Sequence, residues 1–327
     1  MSSSYSRRAS HAGSWYSNDG EELDGQLEGW LEEASTGPAK AAVRAVIAPH
    51  AGYSYSGHTA AFAYRHMNPD TTRRVFVLGP SHHVYIAGCA LSTAEKLETP
   101  VGDLICDKKV SAALMATGQF EEMTPSMDEA EHSIEMHLPY IAKVMAGRTF
   151  TVVTIVVGAT EERAEADYGA LLAPYLQDPD NFFVISSDFC HWGSRFRYQP
   201  YDPTHGAEVY EYIEWLDRQG MSLIEARDLA GYYRYLAEHK NTICGRHPIG
   251  VLLQAMAAID ATAKTAAAAT ALKAAASEET EDEKEKVRFR VAFVRYAQSS
   301  AVMSKRDSSV SYASAVVQAG PPAGVLG

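Results

Sequence analysis

Three apolar, strand-like runs of this sequence each lead into histidine. The first run stops at a proline, the second at a Gly-Pro pair and the third at a pair of serines. The side chains at these ends are His50, His82 with His83, and Asp188 with His191. Open α/β sheets carry their chemistry at the carboxyl ends of strands. The three ends therefore predict one functional site that contains imidazole and carboxylate groups.

One cysteine could add a thiol to this site. Cys244 lies in a predicted turn directly before a predicted helix, and helix N-termini and metals both lower the pKa of a thiol. Divalent transition metals bind imidazole and thiolate. A set of His50, His82 and Cys244 would give three protein ligands and leave open positions. Asp188 and His191 would then support the ligands or act as acid and base groups.

Two alternatives to this ligand set stay open. The rival set is His83, Cys190 and His191, although residues adjacent in a strand point to opposite faces of the sheet. Without a metal, the same polar side chains would line a pocket for a peptide or a small molecule.

The segment Asp128–Tyr140 predicts a helix that supports the site from behind. Its two histidines lie five residues apart and would not share a helix face, so the pattern differs from HExxH and disfavours a metal site within the helix. Metal-bound histidines usually donate their second N–H to a neighbouring acceptor. We therefore predict that His132, Glu135 and His137 form a hydrogen-bonding layer beneath the ligands.

The composition of the chain limits the classes of protein to which it can belong. The chain has 327 residues, 46% of them hydrophobic and 21% charged, and a formal net charge of -12. This charge disfavours nucleic acid as a partner, because phosphate contacts need clustered Lys and Arg. No apolar run approaches the ~20 residues of a membrane span, and no apolar region of a secretory signal follows the N-terminus. Four scattered cysteines indicate reduced thiols. The expected compartment is the cytoplasm, and the nucleus is not excluded.

Alternation of strands, histidine-bearing turns and helices predicts one α/β domain over residues 1–327, with a layered sheet between helices. Phe150–Val157 is β-branched and unbroken, which predicts a central, buried strand. Val287–Tyr296 alternates and predicts a late strand, whereas Asp307–Ala313 indicates a polar loop. Residues 261–286 form a low-complexity insert, and a disordered tail is expected from about residue 319.

Eight motifs make this chain similar to the Memo family (mediator of ErbB receptor-driven cell motility). They run in order across nearly the whole chain, and the alanine-rich insert and the tail depart from the family pattern. The matching stretches are His11–Tyr16, Ile47–Tyr53, Leu78–His83, Glu131–Tyr140, Ser186–Gly193, Asn241–Gly250, Tyr296–Ser300 and Asp307–Ala313.

The resemblance implies a fold like that of the class III extradiol non-haem iron dioxygenases. It also implies a metal site at His50, His82 and Cys244, with Asp188 and His191 beside it. The ring-cleaving relatives use two histidines and a glutamate on Fe(II). Cys244 stands where that carboxylate is expected. A softer thiolate favours iron or copper in a redox role and argues against ring cleavage.

The resemblance further implies a role in redox-linked signalling, cell motility, and reactive oxygen or metal homeostasis. The implied partners are a phosphotyrosine peptide of a receptor and a small-molecule substrate. The residues predicted to line the binding pocket are Trp15, Tyr53, His83 and Arg195. The alternative is a non-enzymatic adaptor on a dioxygenase-like scaffold, and the sequence does not decide whether there is catalytic turnover.

Overall fold

The computed structural model describes residues 5–35, 42–274 and 289–320. The strands in these ranges are β1 (Ser6–Arg7), β2 (Val43–Ala48), β3 (Arg74–Pro80), β4 (Cys89–Leu91), β5 (Lys96–Leu97), β6 (Leu104–Ile105), β7 (Phe120–Glu122), β8 (Thr151–Val157), β9 (Asn181–Ser186), β10 (Asp188–Trp192), β11 (Phe289–Gln298) and β12 (Ser309–Ala319). The helices are α1 (Gly20–Ala34), α2 (Tyr53–Tyr64), α3 (Lys108–Met115), α4 (Pro125–Ala130), α5 (His132–Glu135), α6 (Leu138–Val144), α7 (Glu162–Gln177), α8 (Val209–Ala226), α9 (Leu229–His239) and α10 (Arg246–Ala274). None of these helices has the length and apolar character needed to cross a bilayer.

A nine-stranded mixed sheet is built from the described strands, in the order β10-β12-β2-β9-β3-β8-β4-β7, with β11 paired to β12. The four central strands β2, β9, β3 and β8 are parallel. Antiparallel pairs extend the sheet on both sides, through β12 next to β2 and β4 next to β8. Strands β1, β5 and β6 form a separate small sheet. The carboxyl ends of the four parallel strands consequently lie along one edge.

Both faces of the large sheet are covered by helices. Alternate residues of each central strand enter opposite cores, as in β2, where Ile47 belongs to one core and Val46 to the other. The first core contains side chains of α7, α8, α9 and α10, and the second contains side chains of α1, α2 and α6. Strand β8 is buried at six of its seven positions, which confirms the predicted central strand. The layered α/β fold class is confirmed.

The predicted helix over Asp128–Tyr140 is wrong. The structure has three short helices there, α4, α5 and α6, and the first break falls at Glu131, whose backbone is extended (φ -85°, ψ 113°). The Glu131 carboxylate caps α5 by accepting the Ser133 backbone N–H at 2.9 Å. This capping, together with contacts to a distant histidine described below, favours a turn over a continued helix.

The predicted polar loop over Asp307–Ala313 is also wrong. Most of it belongs to β12, an interior strand with buried serines. Buried hydroxyls are tolerated because they are hydrogen-bonded, as where Ser314 donates to the Thr59 carbonyl at 2.6 Å.

The late strand is confirmed as β11. The low-complexity insert begins within α10, and its residues 275–286 lie outside the described ranges, as does the predicted tail from residue 321 onward.

Candidate metal centre

Three neighbouring parallel strands deliver the candidate ligands to one edge of the sheet. His50 follows β2, His82 follows β3 and Asp188 follows β9. Strand β9 pairs with both of the others, so the three carboxyl ends meet. Cys244 reaches the same place from the turn before α10. These four side chains therefore lie at the same edge of the sheet.

A thiol, an imidazole and a carboxylate form the first metal-capable group. One ligand atom from each of His50, Asp188 and Cys244 lies within 4.8 Å of the other two. The Cys244 Sγ lies 3.1 Å from His50 Nε2 and accepts the Asp188 backbone N–H at 3.2 Å. The Asp188 Oδ1 accepts the His50 backbone N–H at 2.8 Å. Backbone and side-chain contacts thus hold the three residues as a unit.

Three imidazoles form a second metal-capable group that shares His50. Ligand atoms of His50, His82 and His132 lie within 4.8 Å of one another. The rings of His82 and His132 stack with centroids 4.3 Å apart, and the His50 ring lies 5.2 Å from that of His82. Among the described residues, no such group contains both His82 and Cys244. The ligand set of His50, His82 and Cys244 therefore stays a prediction.

Burial controls the protonation of this centre. It lowers the pKa of His50 well below its ordinary value and raises the pKa of the Cys244 thiol well above its ordinary value. Burial also raises the pKa of Asp188 to about 7, against the opposing hydrogen bonds from the backbone of His50 and Ala51. The metal-free centre therefore combines a neutral imidazole with a protonated thiol. A bound cation would favour the thiolate.

His50 and His82 are each hydrogen-bonded on the side of the ring that faces away from the centre. His50 Nδ1 lies 2.5 Å from Ser186 Oγ, and His82 Nδ1 lies 2.8 Å from Glu131 Oε1. Burial would raise the pKa of Glu131, but the hydrogen bonds and charge of His82 outweigh it and hold the pKa at about 2. The sequence reasoning missed both partners. Ser186 could have been noticed as the last residue of a strand that ends at the site.

The predicted supporting layer of His132, Glu135 and His137 is only partly in place. His132 belongs to the second metal-capable group itself. Glu135 instead ties down the N-terminal segment, since it binds Arg7 Nη1 at 2.7 Å and Tyr16 OH at 2.8 Å. His137 Nδ1 lies 2.7 Å from a tyrosine hydroxyl of α2. These positions differ from the predicted ones because the helix is interrupted at Glu131. The interruption changes the direction of every side chain that follows.

His191 is half-buried beside the Cys244 turn. Its Nδ1 faces two carbonyl oxygens, those of Phe189 at 2.8 Å and Thr242 at 3.1 Å. Carbonyls only accept, so Nδ1 carries a proton and Nε2 of the neutral ring is free to accept one. Burial is the main cause of a lowered pKa for His191. The arrangement suits a proton acceptor, although the role itself stays a prediction.

The residues predicted to line a pocket are distributed around the centre. The Trp15 ring lies 4.4 Å from that of His132, and the exposed His83 ring lies 5.8 Å from it. Arg195 is exposed, with its guanidinium 4.5 Å above the ring of its neighbour Phe196. Tyr53 is buried at the start of α2 and donates to a backbone carbonyl. Trp15 and His83 are thus the two that flank His132.

The rival ligand set is not brought together. Cys190 is fully buried within the first apolar core, and its backbone N–H donates to Asp217 Oδ1 at 3.2 Å. None of the metal-capable groups found in the described ranges contains Cys190, His83 or His191.

The fold and the metal-capable residues define the class of protein. It is an α/β protein with a centre of histidine, thiol and carboxylate groups at the carboxyl ends of its parallel strands. The family model described as Memo-like protein matches residues 7–316, and the chain belongs to this family. "Protein MEMO1" of Xenopus laevis is 51% identical over 309 residues, 94% of this chain and 95% of the relative. "Protein MEMO1" of Homo sapiens is 49% identical over the same shares. "Protein memo-1 homolog" of Caenorhabditis elegans is 46% identical over 96% of this chain and 83% of the relative.

Proposed function

We propose that this protein binds one transition metal ion, iron or copper, through His50, His82 and Cys244. The observation that carries the proposal is the 3.1 Å approach of Cys244 Sγ, which is half-buried, to Nε2 of the buried His50. A thiol and an imidazole this close form a donor pair suited to iron and copper. A bound ion of this kind would supply one-electron redox chemistry.

The chain's own residues would complete the centre. His50 is shared by both metal-capable groups, so Cys244 from one group and His82 from the other would be the residues that hold an ion together with His50. Asp188 would hold the Cys244 loop through its backbone N–H, and His191 would accept a proton at Nε2. On this basis we propose a redox-linked signalling role that influences cell motility and reactive oxygen or metal homeostasis. Four free cysteines support the cytoplasm as its compartment.

A second candidate function is a non-enzymatic adaptor that binds a phosphotyrosine peptide. The observation that favours it is the exposure of two side chains, His83 beside His132 and Arg195 beside Phe196. Arginine is well suited to phosphate because its planar donors bind two oxygens at once. In this case metal removal would leave peptide affinity unchanged, whereas Arg195→Ala would weaken it.

Metal content of protein purified anaerobically without a His tag tests the first proposal. Wild type should contain near-stoichiometric iron or copper by mass spectrometry, and Cys244→Ser should contain little. Cys106→Ser is the matched control, because Cys106 is a buried cysteine outside the centre. Unchanged circular dichroism would show that the fold is intact. Equal metal content in wild type and Cys244→Ser would reject the ligand assignment, and no metal in any sample, even after reconstitution, would favour the adaptor.

A further inference from the structure

We infer that the turn Glu131–Ser133 fixes the proton positions of both His82 and His50, so that each ring presents the lone pair of Nε2 before any ion binds. Glu131 and Ser186 are positioning residues in this scheme, and Ser133 joins them. The inference rests on the proposed metal-binding function, and it concerns the metal-free protein.

Glu131 determines the tautomer of His82. Its Oε2 accepts the His82 backbone N–H at 2.6 Å, and its Oε1 lies 2.8 Å from His82 Nδ1. The same Oε1 accepts the Ser133 backbone N–H at 2.9 Å. An ionised carboxylate can only accept hydrogen bonds, so the proton of a neutral His82 ring must be on Nδ1. The lone pair is then on Nε2.

Ser186 determines the tautomer of His50, and the Ser133 carbonyl determines which way the Ser186 hydroxyl points. A serine hydroxyl has a single proton, and Ser186 donates it to the Ser133 carbonyl at 2.7 Å. The Ser186 oxygen must therefore accept from His50 Nδ1, which is 2.5 Å away. His50 Nε2 is left as a lone pair directed at Cys244 Sγ, 3.1 Å away.

Ser133 is the junction between these two chains of hydrogen bonds. Its N–H binds Glu131, its carbonyl accepts from Ser186, and its hydroxyl donates to the Pro80 carbonyl at the end of β3 at 2.8 Å. Ser133 is fully buried, so water does not compete for these contacts. A Cβ at Gly79 would lie 2.5 Å from the Ser133 hydroxyl, so only glycine permits this approach. One turn thereby orients ligands that lie on two different strands.

Nitrogen NMR of the metal-free protein at neutral pH tests the inference. Histidine ring nitrogens that carry a proton resonate apart from those that do not, and His50→Gln and His82→Gln variants assign the signals. In wild type, His50 and His82 should both be protonated at Nδ1. In Glu131→Ala, the acceptor at His82 Nδ1 is removed, so His82 should become a mixture of tautomers while His50 is unchanged. In Ser186→Ala, His50 should become a mixture while His82 is unchanged.

Glu129→Ala is the matched control, because Glu129 binds Arg8 on the surface at 2.6 Å and contacts neither histidine. It should leave both tautomers as in wild type. Either histidine protonated at Nε2 in wild type, or tautomers unchanged in Glu131→Ala, would overturn the inference. For metal affinity we expect a loss of about 10- to 100-fold in Glu131→Ala. Tautomers that follow the expected pattern in a protein that takes up no metal would support the positioning role and refute the metal-binding function.

Discussion

At the scale of single residues, the most consequential feature is that Cys244, and below about pH 7 also Asp188, holds a proton that a metal ion would displace. Burial raises the pKa of the Cys244 thiol well above its ordinary value and that of Asp188 to about 7. His50 is different, because burial lowers its pKa and its ring is already neutral at pH 7. The pH dependence of metal binding should therefore report the thiol and the carboxylate.

We expect metal affinity to increase with pH by about tenfold per unit above pH 7, because one thiol proton is released on binding. Below pH 7 the dependence should be steeper, since Asp188 is then protonated as well. The measurement is an apparent Kd by chelator competition between pH 6 and pH 8.5. In Asp188→Asn the slope should stay near tenfold per unit throughout. An affinity independent of pH would contradict a thiolate ligand.

At the scale of elements, helices α7 and α10 approach each other closely, and α10 begins directly after Cys244. A Cβ at Gly169 of α7 would lie 2.7 Å from the Ala255 backbone nitrogen of α10. Backbone cannot yield as a flexible side chain does, so an added methyl group would push the helices apart. The close approach helps to fix where the Cys244 turn lies.

Gly169→Ala should lower the free energy of unfolding by about 1–3 kcal/mol, despite the higher helix propensity of alanine. Gly25→Ala is the matched control, because Gly25 is exposed on α1 and a Cβ added there would meet nothing within 4 Å. That variant should gain up to about 1 kcal/mol. Urea unfolding followed by circular dichroism measures both. Equal stability of Gly169→Ala and wild type would show that the helices can separate freely.

At the scale of the whole molecule, one buried carboxylate joins four parts of the fold. Asp217 of α8 accepts from the Cys190 backbone of β10 at 3.2 Å, from Asn241 at 2.9 Å and from Tyr296 of β11 at 2.9 Å. Asn241 belongs to the segment that leads to Cys244. Burial raises the pKa of Asp217 to about 6, although these hydrogen bonds oppose the shift.

The direction in which stability changes with pH follows from the linkage between folding and proton binding at Asp217. The folded protein binds this proton more tightly than the unfolded chain, so Asp217 makes stability fall as pH rises from about 4 to about 6. A shift of about two pKa units corresponds to about 3 kcal/mol. Asp217→Asn should remove this contribution. The measurement is the difference in unfolding free energy between variant and wild type at pH 4.5 and pH 7, since other carboxylates cancel in that difference.

If the difference in unfolding free energy between Asp217→Asn and wild type were the same at pH 4.5 and pH 7, the raised pKa of Asp217 would be contradicted. Glu135→Gln provides a control of opposite sign when the measurement is made between about pH 2 and pH 4.5. Burial alone would raise the pKa of Glu135, but hydrogen bonds from His11 and the charge of Arg7 outweigh it and hold the pKa at about 2. Glu135 therefore contributes stability above about pH 4.5 that is lost as the pH falls toward 2.

Much of the fold and of the candidate site could be predicted because it depends on short-range patterns. The apolar run of β8 predicted a central strand, and the polar residues that end β2, β3 and β9 predicted a site at one edge. Strand β12 was not predictable in this way. Its serines are polar in sequence, and they are buried because acceptors elsewhere in the fold satisfy them, as Thr59 does for Ser314.

The sequence by itself determined which residue types reach the carboxyl edge: His50, His82, Asp188 and Cys244 follow or precede regular elements whose local pattern is strong. Only the tertiary structure decided how these side chains are oriented. Glu131 contacts His82 from 49 positions away, and Ser133 contacts Ser186 from 53. Such contacts break a helix that local propensity favours, because the hydrogen bonds they form between distant segments are buried or partly buried from water. A single sequence contains no pattern that reports them.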